Sequence, residues 1–288
     1  MSRELVRNRY QSGRYDPRYA HHKAYVRRKY ARYEGKKIEG NPDLERYIVR
    51  LLRKGLSPEA VSGRMWLEHQ PFSASKDLIY RWLSSVWGER YQRLLAHRRY
   101  RKRRNKKRAS AVHIPKRINI ADRPAMTPFD YEGDTIVCSQ STSAIVTFHN
   151  PKTLYTDARW VSDLKPARVA RAFRSMMCRV SIRSLTLDNG LENRAHLTLG
   201  IPTYFCAPYH SWEKAGVENA NKLIRRFVPK GTDLATVSVR RLRDIVRHVN
   251  HLPRRKLGWY TPLETMQHRH LLNKKTKNTS DRGGALRG

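Results

Sequence analysis

The sequence has few cysteines, no long hydrophobic run and few acidic residues for its size. Cys138, Cys178 and Cys206 form no CxxC pair and no zinc-ligand spacing, and their odd number argues against a disulfide framework. We interpret them as buried thiols in a reducing cytosol. No apolar run is long enough to span a bilayer, and no signal peptide is recognisable. The sequence therefore predicts a cytoplasmic protein without a membrane span.

Basic residues dominate the charge. Lys and Arg number 60 against 24 acids, which gives a formal net charge of +36. Residues 1–110 hold 30 basic and 10 acidic side chains, and residues 111–288 hold 30 and 14. Such an excess exceeds the needs of solubility and indicates a polyanionic partner, most often nucleic acid, with an anionic membrane as the alternative. Both halves of the chain are expected to contact it.

Three capped helices are predicted in residues 41–97 after a basic, tyrosine-rich arm at 1–40. Asn41-Pro42 and Ser57-Pro58 have the pattern of an N-cap followed by proline, and Ser73 or Ser75 can cap a third helix. This order resembles a helix-turn-helix, in which the last helix reads the major groove of DNA, although the connection before that helix is longer than usual. A plain helical bundle remains the alternative. The predicted DNA contacts are Ser75, Lys76, Tyr80 and Arg81.

A basic linker is predicted at residues 98–117. Nine of the eleven residues 98–108 are Lys or Arg, which is typical of phosphate contacts that carry no base specificity. The predicted phosphate contacts here are Arg101, Lys102, Arg103 and Arg104. The polar, glycine-containing segment 271–288 is predicted to be a disordered tail.

The remaining segment, 118–270, is predicted to be an α/β domain. Three runs with the two-residue period of strands lie at 134–139, 143–150 and 153–161. A helix from Pro166, a strand at 184–188, a short strand at 201–206 and a helix at 212–227 follow. This order predicts a mixed sheet with helices on its faces.

Three acids of this domain could converge. Asp134 is predicted at the start of the first strand, Asp188 at the carboxyl end of the fourth, and Glu218 on the last helix. Clustered carboxylates without His or Cys favour Mg²⁺ or Mn²⁺, and two such ions about 4 Å apart can clamp a phosphodiester during displacement. Individually, the same acids could be a strand-edge acid, a turn residue and an exposed helix acid paired with Lys214 or Lys222.

Several segments of the sequence resemble the DDE transposases of bacterial insertion sequences, in particular the insertion sequence 30 family. They are "ADRPAMTPFDYEGDTIV", "LTLDNGLENRAH", "IPTYFCAPYHSWEKAGVENANKLIRRFVPKGTDL" and "HLPRRKLGWYTPLETM", with "LRKGLSPEAVSGRM" and "LIYRWL" in the helical part. The run "ENANKLIRRFVPKGTDL" is the most specific of them. The resemblance covers roughly residues 1–267.

The resemblance implies a ribonuclease H-like catalytic core that follows an all-α helix-turn-helix domain. It implies that Asp134, Asp188 and Glu218 form the catalytic, metal-binding triad with two Mg²⁺ or Mn²⁺ ions. Asn221 and Lys230 fall at motif positions and would contact DNA. Arg225 is also a predicted DNA contact, because it shares a polar and basic helix face with Glu218 and Asn221. The implied activity is cleavage at the ends of an insertion sequence and transfer of the freed 3′-hydroxyl to target DNA, by a homo-oligomer on double-stranded DNA in the bacterial nucleoid.

Two features leave alternatives open. The segment 2–15 resembles the end of a first helix-turn-helix whose beginning the sequence does not contain, and 29 residues separate Asp188 from Glu218, a short interval for this family. A catalytically impaired relative that binds DNA and acts as a regulator is therefore the alternative function. A general basic nucleic-acid coat is disfavoured, because it gives no reason for three acids at motif positions.

Overall fold

The computed structural model describes residues 3–10, 12–30, 36–95, 114–207 and 211–273. The chain divides into two compact units, Met1–Tyr100 and Arg101–Gly288. Within the described part of the chain, no helix has the length and hydrophobicity that crossing a bilayer requires. The predicted contacts Arg101, Lys102, Arg103 and Arg104 lie outside the described residues, as does most of the predicted tail.

The first unit is all-helical. Its helices are α1 (Arg3–Asn8), α2 (Pro17–Tyr30), α3 (Lys36–Glu39), α4 (Pro42–Arg53), α5 (Pro58–Leu67) and α6 (Lys76–Leu83), followed by a 3₁₀ helix at Glu89–Leu94. The predicted caps are confirmed. Asn41, Ser57 and Ser75 each accept the backbone N–H three residues later. These bonds satisfy N–H groups that helix starts leave without intrahelical partners.

Helix α6 has one buried face and one exposed polar face. Leu78, Ile79, Trp82 and Leu83 are buried, whereas Lys76, Tyr80 and Arg81 are exposed. Eight residues, 68–75, connect α5 to α6, so the long connection expected from the sequence is present.

The second unit is built on a six-stranded sheet. The strands are β1 (Ile118–Asn119), β2 (Asp130–Val137), β3 (Ala144–His149), β4 (Thr156–Val161), β5 (Ser184–Leu187) and β6 (Thr203–Phe205), and the helices are α7 (Pro166–Met177), α8 (Ala215–Ile224), α9 (Val239–Asn250) and α10 (Pro262–His268). The spatial order is β1-β6-β5-β2-β3-β4. The hairpins β2–β3 and β3–β4 are antiparallel, and β2, β5, β6 and β1 pair in parallel. This mixed, helix-flanked sheet is the ribonuclease H-like arrangement.

Both faces of the sheet are covered by helices. Successive side chains of a strand point to opposite faces. Val146 and Phe148 therefore pack in the core that contains the apolar stripe of α7, while Ile145 packs in a second core with Ile224 of α8 and residues of α9. On β2, the side chains that face α8 are the polar Glu132 and Asp134 and the apolar Ile136.

Strand β2 begins four residues earlier than predicted, so Asp134 lies inside the strand rather than at its start. The additional residues include two buried acids, Asp130 and Glu132. Asp130 is completely buried and accepts hydrogen bonds from Arg183 and Ser184. A buried carboxylate requires such partners. Both lie far along the chain, which is why the local pattern did not indicate a strand.

Candidate active site

The register of the sheet brings Asp134 and Asp188 together. Strands β2 and β5 are parallel neighbours, and Glu132 is paired with Thr186. Two residues further along the same register, Asp134 lies opposite Asp188, which follows β5 directly. Because a two-residue step keeps side chains on the same face, both carboxylates can reach the same space.

Lys214 lies between these two carboxylates. Its Nζ is 3.1 Å from Asp134 Oδ1 and 3.4 Å from Asp188 Oδ2. The lysine side chain is 7% exposed, the Asp134 side chain 19% and the Asp188 side chain 43%. Burial disfavours the charged amine, but the neighbouring Asp188 and Asp134 outweigh it, and the pKa of Lys214 is raised. The two aspartates thus converge on one cationic group.

Two asparagines hold the other carboxylate oxygens. Asn221 Nδ2 donates to Asp134 Oδ2 at 2.6 Å, and Asn193 Nδ2 donates to Asp188 Oδ1 at 2.8 Å. The Oδ1 atom of Asn221 is buried and has no hydrogen-bond partner among the described residues. Asn221, predicted to contact DNA, therefore holds Asp134 in this structure.

Glu218 lies on the same face of α8 as Asn221, three residues before it, and four residues after Lys214, the N-cap residue of the helix. It is partly buried. In the described part of the chain, no three His, Cys, Asp or Glu side chains lie close enough together to hold a metal ion. The structure therefore brings together two of the three predicted carboxylates, and the metal-binding role of Glu218 stays a prediction.

A buried acid fixes the beginning of α8. Glu132 Oε2 accepts the backbone N–H of Val217 at 2.7 Å, although Lys214, the N-cap residue, makes no side-chain cap of its own. Burial raises the pKa of Glu132, and Asp134 adds to this effect. Gly216 leaves room for the contact, because a Cβ atom there would lie 2.7 Å from Glu132 Oε2.

Glu192 is a further carboxylate beside the site. Thr135 Oγ1 donates to Glu192 Oε1 at 3.3 Å. Burial raises the pKa of Glu192, and the charges of Asp188 and Asp134 raise it further. The surroundings of both aspartates are therefore strongly acidic, with Lys214 as the cation between them.

The predicted DNA contacts have different surroundings. Lys76, Tyr80 and Arg81 lie on the exposed face of α6, and Lys230 is also exposed. Ser75 is the N-cap of α6 and accepts the Leu78 N–H at 3.2 Å. The structure describes Arg225 as partly buried, with Nη2 donating to the carbonyl of Val137. Contact of any of these residues with DNA stays a prediction.

The sequence pattern does not indicate Glu132, Glu192, Asn193 or Lys214 as site residues. Glu192 and Asn193 follow Asp188 within the motif "LDNGLEN", so their position close to that acid was the available signal. The sequence indicates Lys214 only as a surface partner of Glu218, because their four-residue spacing fits a helix pair.

Comparison with known proteins identifies relatives over most of the chain. No protein-family model matches the sequence. The chain is 35% identical over 281 residues to the transposase of insertion sequence element IS4351 from Bacteroides fragilis, with 91% of this chain and 84% of that protein covered. It is 27% identical over 240 residues to the transposase of IS1086 from Cupriavidus metallidurans, covering 76% and 71%. It is 28% identical over 259 residues to the transposase InsI of IS30C from Escherichia coli, covering 80% and 66%.

Among solved structures, the catalytic core domain of BIV integrase superposes with a TM-score of 0.40 at 18% identity, over 50% of this chain and 97% of that one. The relationship to the Bacteroides protein extends through both units and includes the segments that carry Asp134, Asp188 and Glu218. The chain belongs to the insertion-sequence transposases, and among these to the insertion sequence 30 family.

Proposed function

We propose that this transposase acts by metal-dependent phosphoryl transfer on DNA, with Asp134, Asp188 and Glu218 as its acidic triad. The observation that carries the proposal is the position of Lys214, whose ammonium is within ion-pair distance of both aspartates. A cationic group already lies where the two carboxylates converge. The donor set consists of hard oxygen ligands, which suit Mg²⁺ or Mn²⁺.

The residues of the site have distinct tasks in this proposal. Asp134 of β2 and Asp188 at the end of the neighbouring β5 would hold the ions, and Glu218 would add a third carboxylate from α8. Asn221 and Asn193 orient the aspartates through the amide hydrogen bonds described above. Two bound ions supply activation of the attacking oxygen and stabilisation of the leaving oxygen. Water is the first nucleophile and a DNA 3′-hydroxyl the second, without a covalent protein–DNA intermediate.

DNA binding is assigned to both units. In the first unit, α4–α6 would act as a helix-turn-helix, with Lys76, Tyr80 and Arg81 of α6 directed at the DNA. Arg225 and Lys230 would contact DNA near the catalytic site, and the linker arginines and lysines would bind phosphates. The partners are element ends and target DNA, bound by a homo-oligomer in the cytoplasm, at the nucleoid.

The decisive test is strand transfer by an Asp188→Ala variant. Purified protein is given pre-cleaved end DNA of its own element and a plasmid target, with and without Mg²⁺. We expect joined product only with the metal, from the unaltered protein and from a control variant but not from Asp188→Ala, which should still bind end DNA with nearly unchanged affinity. Asp244→Ala is the matched control, because Asp244 is an exposed acid of α9 that pairs with Arg247. Joined product from Asp188→Ala would refute the triad.

A DNA-binding regulator with impaired catalysis is the second candidate. It is favoured by the finding that no three metal-binding side chains converge among the described residues. It predicts that the unaltered protein binds end DNA but forms no joined product even with Mn²⁺. The same assay therefore separates the two functions.

A further inference from the structure

We propose that Lys214 is a displaceable counter-cation, whose ammonium holds Asp134 and Asp188 together until a divalent ion takes its place. This inference rests on the proposed function, because it concerns the same two carboxylates. It adds a competition within the chain to the proposed metal site: the divalent ion has to remove an ammonium group before it can use both aspartates.

The hydrogen bonds of the two aspartates identify Lys214 as the group that must move. Each carboxylate has one oxygen facing an asparagine amide and the other facing the lysine amine. The asparagines serve one carboxylate each. Lys214 alone, among the donors described for these oxygens, serves both. A cation that bridges Asp134 and Asp188 through those facing oxygens needs the space that the ammonium occupies.

The electrostatic balance explains why the lysine lies there. Two carboxylates this close repel each other unless a positive charge separates them. The Lys214 side chain is almost completely buried, and a buried ammonium is stable only where opposite charges and acceptors surround it. It also donates to the carbonyl of Gly133 at 3.4 Å, so the amine is directed inward by three oxygen atoms.

The exchange is chemically reasonable because the ammonium supplies one positive charge and a divalent ion supplies two. Lys214 is the residue just before α8, and its four-carbon side chain can rotate without unwinding the helix. When the divalent ion displaces Lys214, the two ion pairs of the lysine are lost, and this loss makes the net free energy of metal binding less favourable. Removal of the lysine charge should therefore tighten metal binding, although it weakens the metal-free site.

The first test measures Mn²⁺ binding to the full chain by calorimetry, using the unaltered protein, Lys214→Met and Lys214→Gln. Met keeps the length of the side chain, and Gln keeps a neutral donor, so at least one variant should fold. We expect both to bind Mn²⁺ about tenfold more tightly, because the competing charge is gone and two acids remain. Lys222→Met is the control, since Lys222 is exposed on α8 and should leave the affinity unchanged.

The outcomes separate this inference from the proposed function. If the unaltered protein binds Mn²⁺, Asp188→Ala does not, and neither Lys214 variant binds more tightly, the counter-cation is overturned and the metal site stands. If neither the unaltered protein nor the Lys214 variants bind Mn²⁺, the counter-cation inference and the proposed metal site are both overturned.

A second test follows the amine itself. The full chain is acetylated briefly with acetic anhydride, with and without saturating Mn²⁺, and modification of individual lysines is quantified by mass spectrometry. We expect Lys214 to be protected without metal and to react about tenfold faster with it, whereas Lys222 reacts equally in both states. Equal protection of Lys214 in both states would overturn the displacement.

Discussion

The carboxylate of Glu132 accepts the backbone N–H of Val217 at 2.7 Å, so a buried acid of β2 anchors the first turn of α8. The positive end of a helix dipole favours such an acid. Asp134 lies two residues after Glu132, and Glu218 lies one residue after Val217. The bond therefore connects the strand and the helix that carry two of the three proposed catalytic acids, next to the catalytic positions themselves.

We predict that Glu132→Ala lowers the kcat of strand transfer by about 100-fold, because misplacing a catalytic group by about 1 Å can cost that much. The KM for end DNA should change little, since Glu132 is 3% exposed and cannot contact DNA. Glu132→Gln keeps an oxygen acceptor for the Val217 N–H and should restore most of the rate. Single-turnover joining assays measure both variants. A Gln variant as slow as the Ala variant would show that the hydrogen bond is not the cause.

Gly216 allows the close approach of Glu132 to α8. We predict that Gly216→Ala destabilises the second unit by about 1 kcal/mol, because overpacking costs roughly 1–3 kcal/mol and exceeds the helical gain of alanine over glycine. The new methyl group would lie 2.7 Å from Glu132 Oε2 and 3.0 Å from His149 Cδ2.

A double-variant cycle checks this cause. In a Glu132→Ala background the nearest contact is absent, so the cost of Gly216→Ala should fall. Urea unfolding of the four proteins gives the coupling free energy. Additive effects of the two substitutions would mean that the contact is not responsible.

Local signals in the sequence predicted the helix starts, because each cap is a contact between residues three apart. Asn41 and Ser57 are examples, as their side chains accept N–H groups within their own helices. The candidate site was predictable only as far as Asp134 and Asp188, since parallel neighbouring strands bring together residues at the same end of a sheet.

The remaining features depend on contacts between distant parts of the chain. Glu132 bonds to a residue 85 positions away, and Lys214 to one 80 positions away. A polar stretch such as "DYEG" has no local sign of strand formation. Its two acids, Asp130 and Glu132, are stable in the interior only because residues far along the chain donate hydrogen bonds to them. The position of Lys214 between the two aspartates was not predictable for the same reason, because its local spacing from Glu218 indicates a surface pair.

Ser75 was predicted to contact DNA, but the structure gives it a cap contact with the Leu78 N–H. We predict that Ser75→Ala destabilises the first unit by about 1 kcal/mol, the usual cost of losing an N-cap. Ser75→Asp keeps a cap oxygen and should retain stability, yet its negative charge should weaken DNA binding if α6 faces DNA. Thermal unfolding and end-DNA titrations measure the two effects separately. Unchanged DNA affinity of the Asp variant would argue against a DNA contact by the start of α6.

Cys138 has a reactive environment. Its Sγ lies 3.4 Å from Ser141 Oγ, and hydrogen bonding from Ser141 lowers the pKa of the thiol to about 7. A lowered pKa means that the thiolate forms at lower pH than in an ordinary cysteine, so alkylation by iodoacetamide should reach half its maximal rate near pH 7. Ser141→Ala should slow the reaction several-fold at pH 7 and leave it unchanged at pH 10. Mass spectrometry of Cys138 gives the rates, and identical pH profiles in both proteins would contradict the assignment to Ser141.

His149 makes the second unit sensitive to acid. Its Nδ1 lies 3.0 Å from Thr156 Oγ1, its Nε2 is buried without a partner among the described residues, and burial lowers the pKa of the ring to about 3. In the unfolded chain this histidine binds a proton near pH 6.5. In the folded chain it binds the proton only near pH 3. The resulting stability is therefore complete above pH 6.5 and is lost as the pH falls between these values, at roughly 1.4 kcal/mol per pH unit.

We predict that His149→Gln removes this dependence. Between pH 8 and pH 5 the unaltered protein should lose about 2 kcal/mol more unfolding free energy than the variant, the cost of one proton over about 1.5 pH units. Urea unfolding of the second unit at both pH values provides the comparison, and the same replacement at exposed His21 controls for the loss of a histidine elsewhere. Equal losses in the unaltered protein and His149→Gln would mean that the ring accepts its proton in the folded state, where Glu132 is its partner in the β2–β3 register.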